Sequence, residues 1–168
     1  GLSYEQIRNG FSNAKIVKTR YDQITSGGLT ITMQLSKGQN PTACARCFSY
    51  VAKCSGDNKA IIFIGDNFES SESPCWFFDC NYSYLKDPSI NQVIFSGPRC
   101  KDQYLRALMA GIPAEKLKII DSSTGGTDIL DINISKDIYV LYGPYMVKEA
   151  NIIKNKLIKI GSRCGNGC

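Results

Sequence analysis

The chain has 168 residues, 43% of them hydrophobic, and a net charge of +5. This length and composition fit a single domain with one hydrophobic core, and the apolar runs are too short to cross a bilayer. The basic surplus is small for a nucleic-acid binder, so we expect neither a nucleic-acid partner nor a transmembrane segment.

Eight cysteines and the absence of histidine restrict the chemistry further. Most of the cysteines lie in or beside apolar segments, where a free thiol packs like a small hydrophobic side chain. We therefore expect reduced thiols and a cytoplasmic location rather than a disulfide framework. Without histidine, the chain lacks the commonest general base and the commonest metal ligand, and no metal site is expected.

The first third of the chain predicts a β-hairpin followed by a helix. Residues 14–25 and 29–36 are rich in residues that favour strands, and a glycine-rich turn joins them. Alternation in the second segment predicts a buried face formed by Leu29, Ile31, Met33 and Leu35. Asn40 suits the cap of a helix, and the proline after it suits the first turn, so a helix is predicted over residues 41–53.

Later in the chain, apolar strands alternate with helices. The predicted strands cover residues 60–65, 92–96, 117–120 and 138–142, and helices are predicted near residues 99–110 and 145–159. Strands that are apolar throughout indicate a parallel sheet covered on both faces. The predicted fold is therefore α/β: a Rossmann-like, mostly parallel sheet with helices on both faces and an N-terminal β-hairpin.

Two motifs each have a functional and a structural interpretation. Residues 123–127, Ser-Thr-Gly-Gly-Thr, follow a strand and could hold a phosphate with backbone amides, although a plain loop is favoured and no P-loop is present. Cys44 and Cys47 form a Cys-x-x-Cys at the start of a helix. Incidental thiols are favoured there over a redox or zinc site, because no second ordered pair completes the pattern.

Two aspartates are candidate functional groups. Asp66 follows the first parallel strand, at the edge of such sheets where ligands bind, although an aspartate there also caps turns. Asp79 lies within the most aromatic stretch, residues 76–82. A carboxylate among aromatic rings must find a hydrogen-bond donor or be neutralised. A helix cap or a pair with lysine explains Asp79 equally well at this stage.

Five segments occur in the order typical of one family. They are residues 2–11, 35–42, 64–67, 76–82 and 96–112. The last reads Ser-Gly-x-Arg-x-x-Asp-x-x-x-Arg-x-x-x-Ala-Gly-Ile, and it and the tryptophan segment are the most specific. With these segments the chain resembles the C-terminal domain of the MurT family, the Mur ligase-like subunit of lipid II isoglutaminyl synthase. That resemblance implies the fold of Mur ligase C-terminal domains.

The resemblance implies a part in an ATP- and Mg²⁺-dependent, glutamine-hydrolysing ligase that converts the D-glutamate of lipid II to D-isoglutamine. The family's C-terminal domain docks a GatD-like glutaminase and supplies an aspartate that orients its catalytic histidine. Asp79 is the first candidate for that aspartate and Asp66 the second. Lys37 and Asn40 are implied to face the nucleotide when the ligase domains close, and no cofactor is expected to bind this domain alone.

The resemblance also divides the chain. Residues 1–13 are interpreted as a remnant of the link from a Mur central domain, residues 14–160 as the α/β domain, and residues 161–168 as a flexible tail. The family pattern is interrupted at Gly38-Gln39, and Ser73 replaces an acidic residue that the family often carries. The alternative is a stand-alone flavodoxin-like module that binds a phosphorylated small molecule.

Overall fold

A computed structural model describes residues 1–14, 20–36, 40–65 and 76–165 of the protein. Within these ranges the strands are β1 (Tyr21–Ser26), β2 (Leu29–Leu35), β3 (Lys59–Ile64), β4 (Ile90–Ser96), β5 (Leu117–Ile120) and β6 (Asp137–Tyr142). The α-helices are α1 (Tyr4–Ser12), α2 (Pro41–Lys53), α3 (Trp76–Asp79), α4 (Cys100–Met109) and α5 (Val147–Gly165). Short 3₁₀ turns occur at Tyr82–Lys86, Ala114–Lys116, Gly126–Asp128 and Pro144–Met146.

All six strands belong to one sheet with the order β1-β2-β6-β3-β4-β5. Strand β1 pairs with β2 in the antiparallel direction, and every other pairing is parallel. The predicted α/β fold with an N-terminal hairpin is confirmed. From β3 the chain adds β4 and β5 on one side of the sheet, and it then adds β6 on the opposite side of β3. The strand order therefore reverses between β6 and β3. Ligand sites in such sheets gather at the carboxyl ends of the strands near this point.

Strand β3 is buried on both faces, which explains why its sequence is apolar throughout. Ile61 and Phe63 belong to the core beneath α2 and α4, whereas Ile62 and Ile64 belong to the core beneath α5. Burial of such side chains is the main favourable contribution to folding. The two cores therefore hold helices against both faces of one shared central strand.

The hairpin and the first helix of the α/β domain agree with the sequence pattern, except that β1 begins at Tyr21 and not at residue 14; residues 15–19 of that predicted strand lie outside the described residues. Leu29, Ile31 and Met33 are buried on one face of β2, as the alternation predicts. Helix α2 begins at Pro41, and the Asn40 side chain accepts a hydrogen bond from the Ala43 amide at 2.9 Å. This cap satisfies a backbone donor that the first helical turn would otherwise leave without a partner.

Helix α1 carries its own start signal. The side chains of Ser3 and Gln6 form a reciprocal capping box, yet none of the helix residues is buried. It occupies the segment interpreted as a remnant of an interdomain link. No helix of the described ranges combines the length and the apolar character needed to cross a membrane.

The end of α5 differs from the predicted flexible tail. Residues 161–165 belong to the helix, whereas residues 166–168 lie outside the described ranges. Gly161 lies against the β1–β2 turn, and a Cβ atom there would be 2.2 Å from the Ser26 carbonyl oxygen. The Ser26 hydroxyl also donates to the Ile158 carbonyl at 3.0 Å. Glycine is needed at position 161 because two backbones touch, so its presence there indicates packing rather than flexibility.

We expect Gly161→Ala to lower the free energy of unfolding by about 1–3 kcal/mol, because the new methyl group forces α5 away from the turn. Urea denaturation measures the change. Gly10→Ala is the matched control, since Gly10 lies in exposed helix α1 with no atom within 4 Å of its Cβ position. That variant should change stability by less than about 1 kcal/mol, in the favourable direction. Equal effects of the two variants would contradict the close contact.

Candidate functional site

Helix α3 divides its side chains between the core and the solvent. Phe77 is buried, and so is Cys80, the residue just after the helix. Phe78 is 47% exposed, and Asp79 is also exposed. The Trp76 and Phe77 rings contact each other with their centres 4.1 Å apart. The sequence position of Asp79 suggested that aromatic rings enclose it. The structure shows instead that its side chain is exposed to solvent. It lies on the solvent side of a short helix whose inner side faces the core.

Asp79 has no internal partner within the described part of the chain. It is the last residue of α3, so it does not cap the start of that helix. The ion pairs found among the described residues join Arg99 to Asp102, Lys154 to Asp22 and Lys156 to Asp128. Both structural explanations, a helix cap and a lysine pair, therefore fail to account for this carboxylate.

An open cleft of about 360 Å³ lies beside Asp79. It separates the α3 region from the N-terminal half of α2 and is lined by Pro41, Thr42, Ala45, Arg46, Ser49, Asp79, Asn81 and Tyr84. Arg46 is exposed and, like Asp79, makes no ion pair within the described ranges. The cleft thus offers one carboxylate, one guanidinium and several hydroxyl groups to a polar partner.

Arg106 of α4 anchors the segment that follows Asp79. Its Nη2 donates to the Cys80 carbonyl at 3.1 Å, and its guanidinium carbon lies 5.2 Å from the centre of the Tyr82 ring. Tyr82 is fully buried and contacts the Phe48 ring at 5.2 Å. Burial raises the pKa of Tyr82 well above its usual value, so the ring stays neutral beneath the cation. One cation therefore fixes both Cys80 and Tyr82.

We expect Arg106→Met to lower the free energy of unfolding by about 2 kcal/mol, because it removes a cation–π contact and leaves the buried Cys80 carbonyl without a donor. Arg46→Met is the matched control, since Arg46 is exposed and makes no ion pair within the described ranges. A surface change of this kind should alter stability by less than about 0.5 kcal/mol. Urea denaturation of both variants tests the difference, and equal midpoints would contradict the anchoring role.

Of the other predicted site residues, the structure describes only Asn40. Asp66 and Lys37 lie outside the described residues. Asn40 caps α2 through its side-chain oxygen, and the adjacent Pro41 lines the cleft that contains Asp79. The structure therefore brings the start of α2 and Asp79 to the same cleft. The nucleotide contacts of Lys37 and Asn40 stay predictions.

Gln103, which the sequence reasoning missed, lies near the carboxyl end of β3. Its side chain is fully buried, and both amide atoms lack a hydrogen-bond partner within the described ranges. A Cβ atom at Gly65 would come within 3.0 Å of its Nε2 atom. A buried amide without partners is costly, so its position beside a strand end is informative. The sequence could have indicated this burial, because Gln103 lies on the same face of α4 as the buried Cys100 and Ala107.

Residues 123–127 form a packed turn. A Cβ atom at Gly125 would be 2.7 Å from the Ile120 side chain, and one at Gly126 would be 2.6 Å from the Ile62 side chain. The Gly125 amide donates to the Ser122 carbonyl at 3.1 Å, and the Asp128 amide donates to the Gly125 carbonyl at 2.8 Å. The glycines are explained by close packing, which favours the loop interpretation over a phosphate site.

The Cys-x-x-Cys motif points into the core. Cys44 and Cys47 lie on the buried face of α2. Burial, with a smaller contribution from neighbouring Cys80, raises the pKa of Cys47 to about 11. Reactive cysteines need a lowered pKa and access to solvent, so incidental thiols are the better interpretation. Among the described residues, no group of three or more side chains is arranged to hold a metal ion.

We expect iodoacetamide to alkylate Cys47 of the native protein at pH 8 at least about tenfold more slowly than in urea, because a raised pKa leaves little thiolate. Exposed Cys164 is the internal control and should react readily in both states. Mass spectrometry of the labelled peptides separates the two sites. Reaction of native Cys47 as fast as Cys164 would instead support a redox motif.

The sheet order, the N-terminal hairpin and the helices on both faces define the Mur ligase C-terminal class of α/β domains. Two crystal structures of MurF from Acinetobacter baumannii share this fold, with TM-scores of 0.60 and 0.61 and sequence identities of 19% and 15%. Each alignment covers 95% of this chain and 34% of the MurF chain. At such identity the likeness concerns the fold alone.

Comparison of the sequence with protein families identifies the family of this chain. The model of the MurT ligase C-terminal family matches residues 37–143, and the chain belongs to that family. The lipid II isoglutaminyl synthase (glutamine-hydrolyzing) subunit MurT of Staphylococcus aureus strains COL and N315 is 23% identical over 112 residues. That alignment covers 67% of this chain and 25% of each relative, so the chain spans about a quarter of their length.

Proposed function

We propose that this domain serves a ligase that amidates the D-glutamate of lipid II to D-isoglutamine in peptidoglycan synthesis, and that it docks a GatD-like glutaminase subunit. Membership of the MurT C-terminal family supports the ligase context. The name of the Staphylococcus aureus relatives, a glutamine-hydrolysing synthase subunit, supports the partner. Lipid II and the ligation chemistry belong in this proposal to the longer protein.

The carboxylate of Asp79, exposed and without an ion pair among the described residues, is the observation that carries the proposal. Charged groups buried in a protein are normally paired, and exposed ones are free to meet a partner. Asp79 borders a cleft, and Arg106 fixes the residues immediately after it. A carboxylate held in place at the surface is suited to complete an active site on another chain, which a mobile side chain would do poorly.

In this mechanism the glutaminase contributes its own nucleophile and histidine, and this domain contributes the third member of the set. Docking brings the Asp79 carboxylate against the partner's imidazole and removes water from both. The carboxylate then accepts the imidazole N–H, fixes its tautomer and stabilises the imidazolium that forms when the nucleophile loses its proton. Asp66 is the second candidate for the same role.

ATP and Mg²⁺ enter the proposal through the longer ligase, where ATP activates the carboxylate that ammonia attacks. The described part of this chain fits them only to a limited extent. The Asn40 oxygen is engaged in the α2 cap, which leaves only its amide nitrogen for a nucleotide. We therefore propose that Lys37 and Asn40 contact the nucleotide only in the closed ligase, and that this domain alone does not hold it.

We expect Asp79→Asn to reduce glutamine hydrolysis by the assembled complex by about 10⁴-fold, because the amide keeps the shape but cannot hold the histidine in the required tautomer. The affinity for the glutaminase should change little, since one group at the edge of a contact is seldom a hot spot. Steady-state glutaminase assays and a binding titration measure the two quantities separately.

Asp57→Asn is the matched control, because Asp57 is also exposed and makes no ion pair within the described ranges. It should retain full activity. Asp66→Asn is the comparison that distinguishes the two candidates. Loss of activity only in Asp66→Asn would transfer the role to the end of β3. Full activity in both candidate variants would refute a catalytic contribution by either and leave a docking domain.

A further inference from the structure

A second cleft, of about 600 Å³, lies on the other flank of α2. It separates the C-terminal half of that helix from strands β1, β2 and β6. The lining residues that bear on its chemistry are Tyr21, Tyr50, Cys54, Gly56, Asp137 and Tyr139. None of these belongs to the Asp79 cleft. The described lining thus includes three tyrosines and one carboxylate.

Two of the tyrosines, Tyr21 and Tyr50, form a connected aromatic pair. The hydroxyl groups of Tyr21 and Tyr50 share a hydrogen bond at 3.2 Å, and their rings meet edge to face with centres 6.3 Å apart. This hydrogen bond, followed by burial, raises the pKa of Tyr50, and burial raises the pKa of Tyr139. The hydroxyls of Tyr50 and Tyr139 therefore keep their protons near neutral pH. Neutral rings present electron-rich faces, which attract cations.

Among the described residues that line this cleft, Asp137 is the only charged side chain. In the described part of the chain no cation pairs with it. Lys59 occupies the neighbouring position on β3, but its ammonium is bound by the carbonyls of Ala52 and Cys54 and by the Ser89 hydroxyl. The protein as a whole is basic, with a net charge of +5. This cleft is therefore a local acidic site on a basic molecule.

Gly56 lies close to the carboxylate, where a larger residue would not fit. Its φ is +104°, and a Cβ atom there would lie 2.5 Å from the Asp137 Oδ2 atom. Any side chain at this position would press on the carboxylate. The loop after α2 thus passes close to Asp137, and the exposed Ser55 and Gly56 form the rim of the cleft.

We infer that this cleft binds an organic ammonium group, with Asp137 as counter-ion and the tyrosine rings as walls. Aromatic walls with a nearby carboxylate are the arrangement by which proteins hold primary and quaternary ammonium ions. A neutral or anionic ligand would leave the carboxylate without a partner, and a metal ion would find too few ligands here. The ammonium group comes from a small amine or from a lysine side chain of a polypeptide.

The test is an NMR titration of the ¹⁵N-labelled 168-residue chain with tetramethylammonium, n-butylammonium and Nα-acetyl-lysine methylamide. Each cation should shift the amide signals of Ser55, Gly56 and Tyr139 saturably, with a dissociation constant on the order of millimolar. The neutral analogues tert-butanol and n-butanol should cause no saturable shift there. Equal affinity of the lysine derivative and n-butylammonium would identify a lysine side chain as a sufficient ligand. Binding of the free amines alone would identify a small amine.

Asp137→Asn should weaken binding of all three cations by about fivefold to tenfold. Asp22→Asn is the matched control, because it changes the net charge equally but removes a carboxylate that pairs with Lys154 at 3.7 Å. Its affinity should equal that of the unaltered chain. Tyr50→Leu, at a position that is 40% exposed, removes one wall without disturbing the core and should also weaken binding. Equal binding of cations and alcohols, or unchanged affinity in Asp137→Asn, would overturn the inference.

Discussion

The Arg106 guanidinium, bound to the Cys80 carbonyl and to the face of the Tyr82 ring, connects α4 to the segment that carries Asp79. This connection matters because α3 has only four residues. A helix of one turn has almost no stability of its own in water, so tertiary contacts must fix its place. Phe77 and Cys80 supply the apolar contacts, and Arg106 supplies the polar one. Together they hold a solvent-exposed carboxylate on a firmly anchored segment.

An exposed carboxylate carries little desolvation cost in the free domain because water solvates it. Burying the same charge inside one chain would carry a desolvation penalty of several kcal/mol, as is typical of unpaired buried ions. When the Asp79 cleft is covered by a partner, water leaves and the interaction of its carboxylate with a cationic group becomes stronger. Division of the proposed active site between two chains therefore lets this domain fold without burying the Asp79 charge. It also makes the carboxylate fully effective only after docking.

Most of the fold was predictable from local patterns, and most of the site was not. The buried strands were found within about two residues because each is an apolar run, and α2 was found because Asn40 and Pro41 mark its start. The sequence pattern singled out Asp79 as a candidate, and the resemblance supplied its proposed role. Its exposure was missed, because the sequence does not show which side of so short a helix faces the core. The packing of Gly161 was not predicted for a related reason. Its contact is with Ser26, which is distant in the sequence, and the local composition does not indicate such a contact.

Helix α2 separates the two clefts. Arg46 and Ser49 line the cleft of Asp79, and Tyr50 and Cys54 line the cleft of Asp137. The inner face of the helix is fully buried, and its Phe48 ring packs edge to face against both Phe63 and Tyr82. A tightly packed core does not deform gradually, so a shift of α2 would break several of these contacts at once. Tyr82 is also the ring that Arg106 covers, so the contacts that keep α2 in place are continuous with those that hold the Asp79 segment. An occupant of either cleft therefore meets a wall that the core has already fixed, and the proposed cation site lies beside the proposed catalytic surface without controlling it.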